Sequence, residues 1–138
     1  MKKLILIPFL SILFSSPIEA KEAPCKVIKV TDGDTIQIEN VLDPDLKLSI
    51  RIDNIDTPEK GSRAKCTQEN ALAQKATLFT KKMIEKATKV TCSFRTWDKY
   101  GGRILGDVTV DGKNLSDLLV KNGLAREYHG EKKGSWCE

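Results

Sequence analysis

Apolar and polar residues alternate along residues 26–55 with the two-residue period of β-strands. The segment KVIKVTDGDTIQIEN (26–40) is rich in β-branched residues and divides into two strands at TDGDT. A turn at LDPD (42–45) separates it from KLSIRIDNI (47–55), where the alternation resumes. The pattern therefore predicts three consecutive strands.

After a loop at DTPEKGSRAKC (56–66), the period changes to that of an α-helix. We predict a helix that starts at Thr67 and runs to about residue 87. Its apolar positions recur at steps of three or four residues: Leu72, Ala76, Phe79, Met83 and Ala87.

Two more strands and a second helix follow. KVTCSFRTW (89–97) and RILGDVTV (103–110) are predicted strands on either side of a turn at DKYGG. NLSDLLVKNGLA (114–125) is a predicted helix that ends at Gly123. The tail, residues 126–138, shows no period.

The predicted elements occur in the order strand-strand-strand-helix-strand-strand-helix. Five strands with a helix between the third and the fourth are typical of the OB-fold. We therefore predict an α+β fold, mainly β: a five-stranded OB-type Greek-key barrel with two or three packed helices. The chain is long enough for one such domain, over residues 21–138.

The first twenty residues have the features of a secretory signal peptide. MKK supplies positive charge, an apolar run follows, and SSPIEA provides small residues before a predicted cleavage after Ala20. The apolar run is too short, and too interrupted by Pro8 and Ser11, for a transmembrane span. We expect an exported protein, periplasmic or extracellular, with no membrane attachment after cleavage.

Four cysteines remain after cleavage, at positions 25, 66, 92 and 137. An even number in an exported chain predicts two disulfides, for which three pairings are possible. A zinc site is disfavoured because no Cys-x-x-Cys pair is present and His129 is the only histidine. A formal charge of +4 for the whole chain suits an anionic partner without requiring one.

The candidate chemistry lies at the ends of the early strands. Asp34 and Asp56 supply hard oxygen ligands that suit calcium or magnesium, although aspartates also cap turns. Arg51 and Arg103 can hold phosphate oxygens, although each could instead form a surface ion pair. Together with a further carboxylate, these are the groups needed for attack of water on a phosphodiester.

Three motifs, VTDGDTIQI, RIDNIDTPE and DKYGGRILGDV, followed by LLVKNGLA, resemble the staphylococcal (micrococcal) nuclease family in the same order. The resemblance runs from about Lys26 to Ala125. It implies an OB-type barrel and a calcium-dependent enzyme that cleaves DNA and RNA and leaves 3′-phosphates.

The resemblance also implies roles for individual residues. Calcium would be bound by Asp34, Asp56 and the Thr57 carbonyl, with Asp32 in support. Glu59 would orient or deprotonate water, while Arg51 and Arg103 would stabilise the transition state. Three residues would border the nucleotide groove: Lys99, Tyr100 and Tyr128. Likeness to exported relatives further implies the disulfides Cys66–Cys137 and Cys25–Cys92.

The leading hypothesis is therefore an exported calcium-dependent nuclease, monomeric, acting on DNA and RNA. The alternative is a non-catalytic OB-fold module that only binds nucleic acid; the presence of Glu59 argues against it. We expect Trp97 and Trp136 to be packing residues, and His129 to take no part, since one histidine allows no catalytic triad.

Overall fold

The structure is a computed structural model that describes residues 21–40, 42–99 and 101–138. The predicted signal peptide lies outside these residues, as does Tyr100. The strands of the described part are β1 (Ala23–Pro24), β2 (Val27–Asp32), β3 (Thr35–Glu39), β4 (Lys47–Ile52), β5 (Ile55–Asp56), β6 (Val90–Trp97), β7 (Arg103–Val110), β8 (Lys113–Asn114) and β9 (Arg126–Glu127). The α-helices are α1 (Thr67–Lys86) and α2 (Leu115–Lys121).

The main sheet has the order β1-β6-β7-β4-β3-β2, with β8 paired to β7. Neighbouring strands are antiparallel except β4 and β7, which run parallel. The sheet curls into a half-barrel against two helices, so the predicted OB-type α+β fold is confirmed. The five longer strands and both helices lie where the sequence pattern predicts them.

The core lies inside the curl of the sheet. Alternate residues of β3 and β4 point inwards, because successive side chains of a strand face opposite sides. These side chains pack with β6, β7 and α2. The core residues that are no more than 1% exposed are Ile36, Ile50, Ile52, Cys92, Val108, Leu115 and Leu119.

Helix α1 begins at Thr67, as predicted, and its N-cap is Cys66, whose sulfur accepts a hydrogen bond from the backbone N–H of Glu69. The helix packs against the turn between β2 and β3. The hydroxyl of Thr80 donates a hydrogen bond to the carbonyl oxygen of Gly33 at 2.6 Å. A Cβ at Gly33 would lie 2.7 Å from that of Ala76, so only glycine lets the turn approach the helix this closely.

Short strands occur where the sequence pattern predicts none. In particular, β5 and β9 form a small antiparallel pair in which Asp56 lies opposite Arg126. Two-residue strands are too short to produce a readable alternation. Their pairing nevertheless attaches the tail, which lacks any period, to the segment that carries Asp56.

Both disulfides implied by the resemblance are present, Cys25–Cys92 and Cys66–Cys137. The first joins the segment after β1 to β6, and the second joins the start of α1 to the end of the tail. No helix of the described part has the length and apolarity needed to cross a membrane.

Candidate active site

One open cleft of about 740 Å³ collects most of the polar residues that the sequence singles out. It is lined by residues of β2, β3, β4, β6 and β7, of the loops after β4, β5 and β6, and of the tail after β9. The predicted site residues that line it are Asp32, Asp34, Arg51, Thr57, Glu59, Lys99, Arg103 and Tyr128. Residues as far apart in sequence as Asp32 and Tyr128, 96 positions, are therefore brought to one surface.

Arg51 connects the two acidic stretches of the sequence. Its Nη2 lies 3.3 Å from Asp34 Oδ2 and also donates to the carbonyl of Ile55 at 3.2 Å. Its Nη1 donates to the carbonyl of Ile52 at 2.9 Å. The guanidinium is mostly buried and fixed, and it holds Asp34 beside the strand that leads to Asp56.

Asp34 and Asp56 are buried carboxylates, each 7% exposed. Asp34 Oδ1 accepts a hydrogen bond from the hydroxyl of Thr35 at 2.9 Å. Asp56 is in contact with the tail, since Oδ1 lies 3.1 Å from Lys133 Nζ and Oδ2 accepts from Trp136 Nε1 at 3.2 Å. Buried carboxylates require such partners, because an isolated charge is costly to remove from water.

Glu59 lies on the loop between β5 and α1, with its side chain 41% exposed. Its Oε2 is 3.2 Å from Arg63 Nε, and its backbone N–H donates to Glu69 Oε1 at 3.2 Å. The other oxygen of Glu69 accepts from the backbone N–H of Lys65 at 2.7 Å. A buried side chain of α1 thus fixes the loop that presents Glu59 to the cleft.

Arg103, at the start of β7, pairs with Asp98 through an Nη2–Oδ2 distance of 2.6 Å. Asp32 is held by Lys60 at 3.0 Å and by Arg63 at 3.5 Å. Lys99 lines the same cleft, whereas Tyr100 is outside the described residues. The two predicted arginines therefore lie in one cleft, each paired with a carboxylate.

Trp97 is not a packing residue, so the prediction for it was wrong. It is 63% exposed at the end of β6 and lines the cleft. A bulge between Phe94 and Thr96 interrupts the register of β6 just before it, and Arg95 at the bulge forms an ion pair with Asp53. Trp136, by contrast, is buried as expected.

Four cleft residues carry charge or aromatic surface that the motifs did not identify: Arg63, Arg95, Trp97 and Lys133. His129 also lines the cleft. The position of Trp97 just before the turn at DKYGG could have identified it from the sequence as a cleft residue. Lys133 could not have been found, because it belongs to a tail without periodicity.

The donor chemistry of this region fits a hard divalent cation. Asp34 and Asp56 supply carboxylate oxygens, and the backbone carbonyl of Thr57 is a ligand of the same class. No three acidic, histidine or cysteine side chains of the described residues form a ready metal cluster. A cation would therefore rely on two carboxylates and on backbone or water oxygens, and it would meet the positive charge of Lys133 at Asp56.

Comparison with known proteins agrees with this geometry. Residues 49–135 match the family model described as staphylococcal nuclease homologue. The chain is 34% identical over 123 residues to an Escherichia coli protein named an uncharacterized endonuclease, covering 88% of this chain and 72% of that protein.

Two Bacillus subtilis (strain 168) proteins are also similar. Endonuclease YhcR is 37% identical over 108 residues, which are 74% of this chain and 9% of that protein. Endonuclease YncB is 35% identical over 109 residues, which are 73% of this chain and 48% of that protein. On the family match and on these identities, the chain belongs to the family of staphylococcal nuclease homologues.

Proposed function

We propose that the protein is an exported nuclease that hydrolyses phosphodiester bonds of DNA and RNA with the help of calcium. The observation that carries the proposal is the single cleft shared by Asp34, Arg51, Glu59 and Arg103. The names of the relatives, which are called endonucleases, support the reaction class.

The two arginines would hold the scissile phosphate. A guanidinium has five N–H donors. Arg51 uses its two terminal nitrogens for protein acceptors, and Arg103 pairs with one carboxylate, so both retain donors for phosphate oxygens. In the transition state these donors would meet the growing negative charge, where electrostatic stabilisation contributes most.

Glu59 would handle the attacking water. Its partly exposed carboxylate can accept a hydrogen bond, and then a proton, from water in the cleft, while Arg63 fixes its direction. The oxygen of that water would form the new bond to phosphorus while the bond from phosphorus to the 5′-oxygen breaks, and the departing 5′-oxygen would take a proton from water in the open cleft. Calcium, when bound by Asp34, Asp56 and the Thr57 carbonyl, would supply a Lewis acid for the phosphoryl oxygen.

The walls of the cleft favour an unpaired strand of any sequence. Trp97 and Tyr128 offer aromatic faces on which bases can stack, and the basic side chains can follow the phosphates. Contacts to phosphate position a strand without reading its sequence. We therefore expect broad tolerance of base and sugar.

The test is hydrolysis of denatured DNA and of RNA by the purified mature protein, with calcium, magnesium or chelator. Glu59→Gln removes the carboxylate charge and is expected to lower the rate by about 10²–10⁴-fold. Arg51→Lys keeps the positive charge but loses the guanidinium that can donate two parallel hydrogen bonds to phosphate, so we expect a large loss of hydrolysis rate in this variant too. Glu85→Gln, on the exposed face of α1, is the matched control.

Calcium-dependent hydrolysis that disappears in both site variants, and persists in the control, would support the proposal. Nucleic-acid binding without hydrolysis by the unmodified protein would instead establish the non-catalytic module. Equal rates in chelator and in calcium would exclude the metal requirement while leaving a nuclease.

A further inference from the structure

The C-terminal tail makes two contacts with one buried carboxylate. Lys133 Nζ lies 3.1 Å from Asp56 Oδ1, and Trp136 Nε1–H donates to Asp56 Oδ2 at 3.2 Å. The next residue, Cys137, is joined to Cys66 at the start of α1. We propose that residues 131–138, here called the arm, position Asp56 for cation binding and that the Cys66–Cys137 disulfide holds the arm in place.

The contact with Trp136 is well placed to fix the carboxylate. Trp136 is 9% exposed, and its indole N–H donates to Asp56 from this buried position. The guanidinium of Arg126 lies 3.8 Å from the centroid of the indole ring and also donates to the carbonyl of Ser135 at 2.8 Å. The ring is thus held in one plane, and its donor remains directed at Asp56.

The backbone supports the same arrangement. Arg126 lies opposite Asp56 in the β5–β9 pair, so the chain that leads to the arm leaves the sheet next to the carboxylate that the arm contacts. Backbone N–H groups of Glu131 and His129 hold the pKa of the Glu131 carboxyl below its usual value. This interaction lies at the beginning of the arm.

The remainder of the arm has no helix or strand to fix it. It is a short segment of bends and irregular backbone whose far end is attached by the disulfide. Without the Cys66–Cys137 disulfide, the end of the arm would lose conformational entropy whenever Trp136 bound Asp56. The disulfide therefore acts on the geometry of the site and not only on global stability.

Trp136 and Lys133 affect a cation at Asp56 in opposite directions. The indole is a neutral donor, so it orients the carboxylate without repelling a second positive charge. The ammonium of Lys133 places a positive charge next to Asp56 Oδ1, and this charge would repel a divalent cation at the same carboxylate. Removing the indole N–H of Trp136 should weaken cation binding, and removing the ammonium of Lys133 should strengthen it.

This inference rests on the proposed function in one respect, the assignment of Asp56 as a cation ligand. The test is calorimetric titration of the mature protein with calcium chloride, without nucleic acid. Trp136→Phe keeps the ring but loses the N–H, and Cys66→Ser with Cys137→Ser removes the tether while leaving a good N-cap at residue 66.

Loss of a group that orients a metal ligand usually lowers metal affinity by about 10–100-fold, and we expect losses of that size for both changes. Lys133→Met is expected to bind calcium more tightly. The matched control is Cys25→Ala with Cys92→Ala, which removes a disulfide of nearly equal sequence separation, 67 against 71 residues. Chain-entropy effects of the two losses are therefore alike, and the control should keep the calcium affinity of the unmodified protein.

Circular dichroism of each variant checks that it is folded at the titration temperature. Folded Trp136→Phe and disulfide variants with unchanged calcium affinity would overturn the inference, as would an unmodified protein that binds no calcium. Hydrolysis is assayed separately. If the unmodified protein hydrolyses nucleic acid but the variants keep its calcium affinity, only the proposed role of the arm is refuted. If the variants bind calcium more weakly but the unmodified protein hydrolyses nothing, only the proposed nuclease activity is refuted.

Discussion

At the scale of single residues, each charged group proposed for the chemistry has an oppositely charged neighbour within the cleft. Arg103 lies 2.6 Å from Asp98, and Glu59 Oε2 lies 3.2 Å from Arg63 Nε. Arg51 holds Asp34 in the same way. An incoming phosphate must compete with these carboxylates, but the side chains are already directed and lose little conformational entropy on binding.

The exposed Trp97 leads to a prediction about binding. Trp97→Ala should weaken binding of a single-stranded oligonucleotide by about 1–3 kcal/mol, the usual value for a base stacked on an aromatic ring. The measurement is fluorescence anisotropy of a labelled strand in chelator, so that no hydrolysis occurs.

Phe94→Ala is the control for that experiment. Phe94 is also an exposed aromatic residue of β6, 44% exposed, but it does not line the cleft. Equal effects of the two substitutions would contradict a specific stacking role for Trp97.

At the scale of elements, helix α1 serves the site through the residues of its first turn. Glu69 accepts hydrogen bonds from the backbone of Glu59 and Lys65, and Asn70 Oδ1 accepts from the backbone N–H of Gly61 at 2.8 Å. The loop between β5 and α1 has no regular pairing of its own, apart from a short 3₁₀ turn at Gly61–Arg63. Its conformation therefore depends on the helix that follows it.

Glu69→Ala tests this support. It leaves two partly buried backbone N–H groups without their acceptor, and about 1–3 kcal/mol is the cost of such a donor when it is fully buried. We expect a lower free energy of unfolding in urea and a lower rate of hydrolysis, because Glu59 loses its position. Glu85→Ala removes the same charge from an exposed site of the same helix and should change neither quantity appreciably. Wild-type values for Glu69→Ala would show that the loop is held by other contacts.

At the scale of the whole molecule, the cleft mixes positive and negative side chains and does not present a surface of one sign. The cleft contains six arginine or lysine residues and five carboxylates, so its net charge is small and the local pattern decides the binding. Substrate phosphates would replace carboxylate partners at several of these cations. Binding should therefore depend strongly on ionic strength.

Salt dependence gives a prediction at this scale. Each phosphate neutralised on a single strand contributes about 0.7 to the slope of log K against log salt concentration. Arg63→Gln should reduce the slope by about that amount. Lys75→Gln, which removes the same charge from the exposed face of α1, should leave it unchanged. Identical slopes for the two variants would mean that net charge, and not the cleft, governs association.

The elements of this protein can be read from its sequence because they depend on local pattern. Two-residue and 3.6-residue periods locate the five long strands and both helices, and Gly123 ends α2 as predicted, with φ near 70°. The motifs around Asp34, Arg51 and Arg103 also select most residues of the cleft. Strand and turn propensities act between near neighbours, so one sequence contains this information.

Features that depend on contacts between distant residues follow only from the three-dimensional fold. The parallel pairing of β4 with β7 places Arg51 beside Leu105, which no periodicity shows. The contact between Asp56 and Trp136 joins residues 80 positions apart. The exposure of Trp97 likewise follows from the bulge in β6 and from the curl of the sheet, not from its neighbours in sequence. Such features form only when packing and disulfides close long loops. The contacts that stabilise them join segments that are distant in sequence, so no local pattern reveals them.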